Sequence, residues 1–580
     1  MENTSSEAPW QAIARRKQAD RDACIPSQWR IPLAYVPKDP PCFEDGPQFV
    51  LHVPAAVLSA EEIEITESYN ISALVAAMTS RKLLAETVIS AFCHRAAVAH
   101  QLTNCLTEPL FAQAVERARF LDRFMEEHGV PLGPLHGLPV SVKDTFDIKG
   151  VDSSTGLASL CFKSAEKNAP LVDLLLSLGA VVVAKTNVPQ TLSSLDSVNN
   201  VFGRTMNPIN RLCTAGGSSG GEGVMVAMRG SLLGIGTDLG GSIRIPAMVN
   251  GVYGFKPSNS RLPYGGQAVL VPEGMTRIGV QPVAGPLAQS VEDINFVMKE
   301  LVPRASLWGE DCVFGEWEAV DASRPPRGSG PDGQVVIGVL RDDGNCALLP
   351  PIDRVLSEVA SSLAGHPNIM AVEVPTPTAW TQAQSAMNEL IAIDGGVHMG
   401  QLLESTGEPL VPWVKPRFRV GEPCSLTRVA QLQAWRSQLE LEMLQIWSDT
   451  DQYGRKSRKL DAIICAVAPH PVPEIERFNS LGYTSSFVLF DYPAGTIPVR
   501  NVIEEDLELG KPLNGQSIGR LDDSCRELWN ENTVNRKVYL GTPLSIQVVV
   551  PRLEDEKLGK VMALVDCVIR SHTTSSKPPK

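Results

Sequence analysis

The stretch PLVDLLLSLGAVVVAKTN, residues 170–187, narrows the fold more than any other part of the chain. Its apolar residues recur at helical spacing up to Leu178. Gly179 then stops the helix, and AVVVAK follows as a continuous apolar run of strand length. A strand apolar on both faces needs cover on both, and a helix directly before it supplies part of one covering layer. The alternation recurs. LHGLPVSVKD carries a short apolar run ending at Lys143, VVIGVL precedes a helical pattern near 352–364, and LDAIICAVAP reads as a further buried strand. These segments predict an α/β architecture around a largely covered sheet.

Between them lie simpler signals. Residues 8–22 read as a short polar helix stopping before Pro26, and the proline-punctuated segment SQWRIPLAYVPKDPPCFEDGPQFV as extended chain over a surface. From Ile71 the spacing predicts two helices broken at Thr79 and Ser80, with an amphipathic helix over 111–128. The turn-rich segment within 305–334 reads as a surface loop insertion. The expected organisation is an N-terminal extension, 1–66, packed on a single domain, 67–580.

Composition excludes several partner classes. Fifty-two basic against sixty-five acidic side chains leave a formal net charge of −13, which disfavours phosphate backbones. The twelve cysteines include no C-x-x-C pair, and the histidines lack metal-ligand spacing, so no metal is expected. No phosphate-cradling glycine loop is present, so no cofactor is expected either. Asp173, Lys185, Arg229 and Asp238 interrupt the most apolar stretches, so no membrane span is expected. The N-terminus lacks the apolar core of a signal peptide, which makes the cytoplasm the default compartment.

Chemistry concentrates in two glycine–serine knots, TAGGSSGGEG at 214–223 and DLGGS at 238–242. A flexible linker would be followed by a composition break, but a helical apolar pattern from Val224 to Met228 continues directly. Gly216-x-Ser218-x-Gly220 also matches a nucleophile elbow, which needs an apolar strand leading in; NPINRLCTA is built of turn signals instead. Ser218 as a plain turn serine remains open at this point. Around the second knot, Leu239, Gly240, Gly241 and Ser242 offer successive backbone N–H groups able to form an anion-binding nest. Asp238 and Arg244 flank it with opposite charge, as supports of the loop or as a simple ion pair.

Taken with GLPVSVKDTFD around Lys143, AKTNVPQTL at 184–192 and GTDLGGSIRIPA at 236–247, the knots make the chain resemble an amidase signature enzyme. The likeness runs over nearly the whole chain and is nearest in appearance to fungal acetamidases and general amidases. It implies an α/β/α sandwich around a mixed, largely buried β-sheet, and a serine amidohydrolase cleaving a carboxylic amide through an acyl-enzyme.

It also implies a Ser–cisSer–Lys triad: Ser242 as nucleophile, Ser218 as the bridging serine behind a cis bond from Gly217, and Lys143 as base. The oxyanion hole falls on Leu239, Gly240, Gly241 and Ser242, with Gly217, Thr237, Asp238 and Arg244 in support. Leu192 and Ser193 fall along the acyl pocket. Lysine serves as a base only when neutral, and burial after the apolar LPVSV lowers its proton affinity in the needed direction. Asp144, one residue on, would point to the opposite face of the strand. The implied partner is a small-molecule amide, with no nucleic acid; a homodimer is possible by analogy. Alternatives are an α/β-hydrolase-type esterase using Ser218, an amidotransferase glutaminase subunit, and a catalytically inert scaffold.

Overall fold

A computed structural model describes residues 8–45, 49–268, 271–272, 275–318, 326–511, 513 and 515–575. Its centre is one mixed sheet of eleven strands. In chain order these are β1 (Leu106–Pro109), β2 (Pro139–Lys143), β3 (Val181–Thr186), β4 (Leu233–Asp238), β5 (Tyr253–Lys256) and β6 (Val283–Ala288). They continue with β7 (Val335–Leu340), β8 (Ile369–Val374), β9 (Ala462–Ala466), β10 (Ala494–Asn501) and β11 (Pro543–Val549). Across the sheet they lie β1-β3-β2-β4-β6-β5-β10-β11-β9-β7-β8. β2 runs parallel to both β3 and β4, whereas β4 meets β6 antiparallel.

Every residue of β2, β3, β4, β6, β7, β9 and β11 is buried. Side chains alternate between faces along a strand, so burial of every position means that both faces are covered. This is the α/β arrangement expected from the apolar runs. The predicted helix before β3 spans Pro170–Ser177, with proline in its first turn, where a missing N–H costs nothing. The pair broken at Thr79 and Ser80 forms Ile71–Thr79 and Ala85–Thr103, the amphipathic pattern forms Phe111–His128, and the helix after β7 spans Pro350–Ala364.

The N-terminal helix α1 (Pro9–Ala23) sits on the domain through Lys17, whose Nζ reaches Asp152 Oδ2 at 2.7 Å. The proline-rich segment behind it is not wholly extended. It makes three short 3₁₀ turns at Ser27–Trp29, Leu33–Tyr35 and Phe43–Asp45, since a φ fixed by proline also suits a tight turn. Residues 46–48 of that segment and 319–325 of the expected loop insertion lie outside the described residues.

Candidate active site

Two neighbouring strand ends and two loops build the site. Lys143, the last residue of β2, is fully buried. Its Nζ donates to Ser218 Oγ at 2.7 Å and to Thr237 Oγ1, near the end of β4, also at 2.7 Å. Burial pushes the ammonium down from its ordinary 10.5 to about 7, against the opposing charges of Asp238 and Glu222. Asp144 turns the other way, as strand alternation predicts. It accepts from Thr107 Oγ1, Ser154 Oγ and the Thr155 N–H, and lies 3.6 Å from Lys185 Nζ.

Ser218 is buried at the entry to helix α2 (Gly220–Ala227), and the Gly217–Ser218 peptide is cis. Gly217 is required by close approach: a Cβ there would meet the Ser194 carbonyl oxygen at 2.5 Å. That contact brings the 192–196 segment against the first knot. Leu192, half-buried with φ of 57°, ends the 3₁₀ turn Gln190–Leu192, and Ser193 beside it is exposed. Ser219 ties the two knots together. Its N–H donates to the Ser242 carbonyl at 3.1 Å, and its Oγ accepts from Thr237 N and donates to Thr237 O, both at 3.2 Å.

The second knot runs from β4 into helix α3 (Arg244–Asn250). Asp238, wholly buried, holds it: its carboxylate accepts from Gly241 N at 2.7 Å, Ile243 N at 3.2 Å, and Arg244 Nε and Nη2 at 3.1 Å each. Burial pushes this carboxyl up, but the Arg244 guanidinium outweighs it and the net displacement is downward. Arg244 also reaches Gln547 Oε1 at 3.1 Å and the Thr484 carbonyl at 2.8 Å. Gly241 has φ of 131°, and a Cβ there would strike Thr484 Oγ1, which itself donates to the Gly240 carbonyl at 2.6 Å.

The Gly241 N–H, one of the four expected donors, is taken by the Asp238 carboxylate. The N–H groups of Leu239, Gly240 and Ser242 make no hydrogen bond among the described residues. Ser242 is half-buried, and its hydroxyl likewise has no hydrogen-bond partner among the described residues, Ser218 included. Lys143, Ser218 and Thr237 are thus joined directly, and Ser242 joins them through its backbone and Ser219.

Sequence reasoning missed Ser219, Glu222 and Thr484. The doubled serine was the available signal for Ser219; Thr484 acts across 240 positions and left none. A nucleophile elbow would also need a histidine base, and the buried His470 is occupied elsewhere: Nε2 accepts from Ser480 N at 2.9 Å and Nδ1 bonds the Pro471 carbonyl.

A mixed, covered sheet carrying a buried lysine–serine pair beside a glycine–serine loop belongs to a recognisable class of hydrolase. Residues 87–558 match the Amidase family, and the chain belongs to that family of amide-hydrolysing enzymes. It is 34% identical over 558 residues to an acetamidase of Aspergillus oryzae, covering 95% of this chain and 97% of that one. An acetamidase of Emericella nidulans is 33% identical over 567 residues, with 94% and 96% covered. Among solved structures, fatty acid amide hydrolase superposes with a TM-score of 0.82 at 28% identity, covering 97% of this chain and 95% of that chain. Among the described residues no helix is long and apolar enough to cross a membrane.

Proposed function

We propose that this chain is a serine amidohydrolase that cleaves a small aliphatic or aryl carboxylic amide to the acid and ammonia or an amine. Ser242 is the nucleophile, Ser218 the proton relay and Lys143 the base. The observation carrying the reading is the 2.7 Å contact between Ser218 Oγ and a wholly buried Lys143 Nζ whose proton affinity has fallen to about 7. Once neutral, the amine donates to Thr237 and keeps a lone pair for the Ser218 hydroxyl, so the Ser218 contact reverses. Rotation of the free Ser242 hydroxyl towards Ser218 completes the relay.

Attack of Ser242 Oγ on the amide carbon then sends its proton through Ser218 to Lys143. The uncommitted N–H groups of Leu239, Gly240 and Ser242 receive the developing oxyanion. Collapse breaks the C–N bond, the proton returns by the same route to the leaving nitrogen, and water on the Lys143 side releases the acid from the ester. Leu192 and Ser193, at the edge of the first knot, flank the acyl group. The small-amide class follows the acetamidase relatives.

Ser242→Ala should abolish turnover of a simple amide and labelling by a fluorophosphonate while leaving the thermal midpoint in place. Retained turnover would remove Ser242 from the mechanism. Hydrolysis by the purified chain alone separates this reading from an amidotransferase subunit, which requires partners.

A further inference from the structure

The first knot carries an acid, Glu222, that the reaction scheme leaves unused. It lies in the first turn of α2 and is wholly buried. Ser141 Oγ donates to its Oε2 at 2.6 Å and Thr186 Oγ1 to its Oε1 at 2.5 Å. The strands that carry these partners also carry Lys143. Ser141 stands two residues earlier on β2, so both side chains share a face, and Thr186 is the register partner of Lys143 on β3. A second hydroxyl, Ser231, lies 2.8 Å from Ser141 and extends the bridge. On the strand below, Gly234 is required, since a Cβ there would meet Glu222 Oε2 at 2.5 Å.

We propose that Glu222 is a positioning residue that governs the protonation of Lys143 from behind, through the charge it carries in this sealed hydroxyl cradle. The inference rests on the reading of Lys143 as base. An ionised Glu222 favours the ammonium; a protonated one releases Lys143 to the neutral form that can accept from Ser218. The cradle offers hydroxyl donors and no directly paired cation, so the carboxyl is free to hold its own proton. Burial pushes it up, against the hydrogen bonds from Ser141 and Thr186 and the charge of Lys143, towards the range in which Lys143 itself titrates.

The other charged or titratable groups around the pair are few. Asp238 faces Lys143 from β4 but is bound to Arg244, Lys256 lies beyond it on β5, and the Cys105 thiol faces Glu222 from the turn before β1. Lys185 and Asp144 pair on the opposite side of the strands.

The test is the pH profile of kcat/KM for acetamide with the full chain. Glu222→Gln keeps the shape and both hydroxyl contacts but removes the charge. It should move the acid limb to lower pH by roughly half a unit to one unit. Thr186→Val withdraws one donor from the ionised carboxylate and should move the limb the same way, which keeps the test alive if Glu222→Gln does not fold. Acid limbs coincident with the wild type in the folded variants would overturn the proposal. So would a loss of thermal stability without a shifted limb, which marks packing alone. Lys143→Ala separates the two readings. If it is inactive while the Glu222→Gln limb stays put, the role of Glu222 fails alone; if it keeps wild-type activity and limb, the base assignment fails and takes this inference with it.

Discussion

Lys143 and Lys185 lie one position out of register on the paired strands β2 and β3, face opposite sides of the sheet, and are both wholly buried. Their surroundings differ in one respect. Lys143 touches two hydroxyls, whereas Lys185 donates to the Asp152 carbonyl at 2.6 Å and Ser153 Oγ at 2.7 Å with the Asp144 carboxylate 3.6 Å away. Burial lowers both. Desolvation alone therefore does not make a base. The Asp144 carboxylate 3.6 Å away favours the Lys185 ammonium, whereas Lys143 contacts two hydroxyls and has no carboxylate within ion-pair distance among the described residues.

The sharpest way to break this contrast is to remove each lysine in turn. Lys143→Ala should lower kcat/KM for a simple amide by about 10²–10⁴-fold, the usual contribution of general acid–base catalysis, with little change in the thermal midpoint. Lys185→Met should do the reverse. It strands Asp144 without its cation and should cost roughly 3–5 kcal/mol of stability, read from the denaturant midpoint, while kcat/KM per folded molecule falls far less than in Lys143→Ala.

The finest effect is the pH dependence of the intact enzyme. With Lys143 as the proposed base, which acts only when neutral, kcat/KM should rise with pH and level off above about 7. Below that point the ammonium has no lone pair to offer, and activity should fall as protonation advances. An acid limb found up in the ordinary lysine range would remove Lys143 from the role of base.

The sequence carried this contrast in part. Strand alternation alone sent Lys143 and Asp144 to opposite faces, and LPVSV alone argued that Lys143 would be desolvated. The knots were visible because glycine at such density marks backbone shaped by close approach, which Gly217 against the Ser194 carbonyl bears out. Contacts between distant segments were not legible. Nothing local in residues 141–186 shows that Ser141 and Thr186 will converge on Glu222, and nothing near 484 announces its bond to Gly240. The count of free N–H groups in the second knot also needed coordinates, because whether Asp238 reaches back to Gly241 depends on a turn that composition does not specify.

The hold of Asp238 on Gly241, Ile243 and Arg244 has a consequence for how such enzymes diversify. The loop bearing Ser242 is fastened by a carboxylate with no access to solvent and braced by Thr484 and Ser219, all of them groups of the protein itself. Side chains lining the opening can therefore be exchanged over evolutionary time without disturbing the reacting atoms. Preference for one amide over another becomes a property of the rim, free to drift, while the chemistry below stays constant.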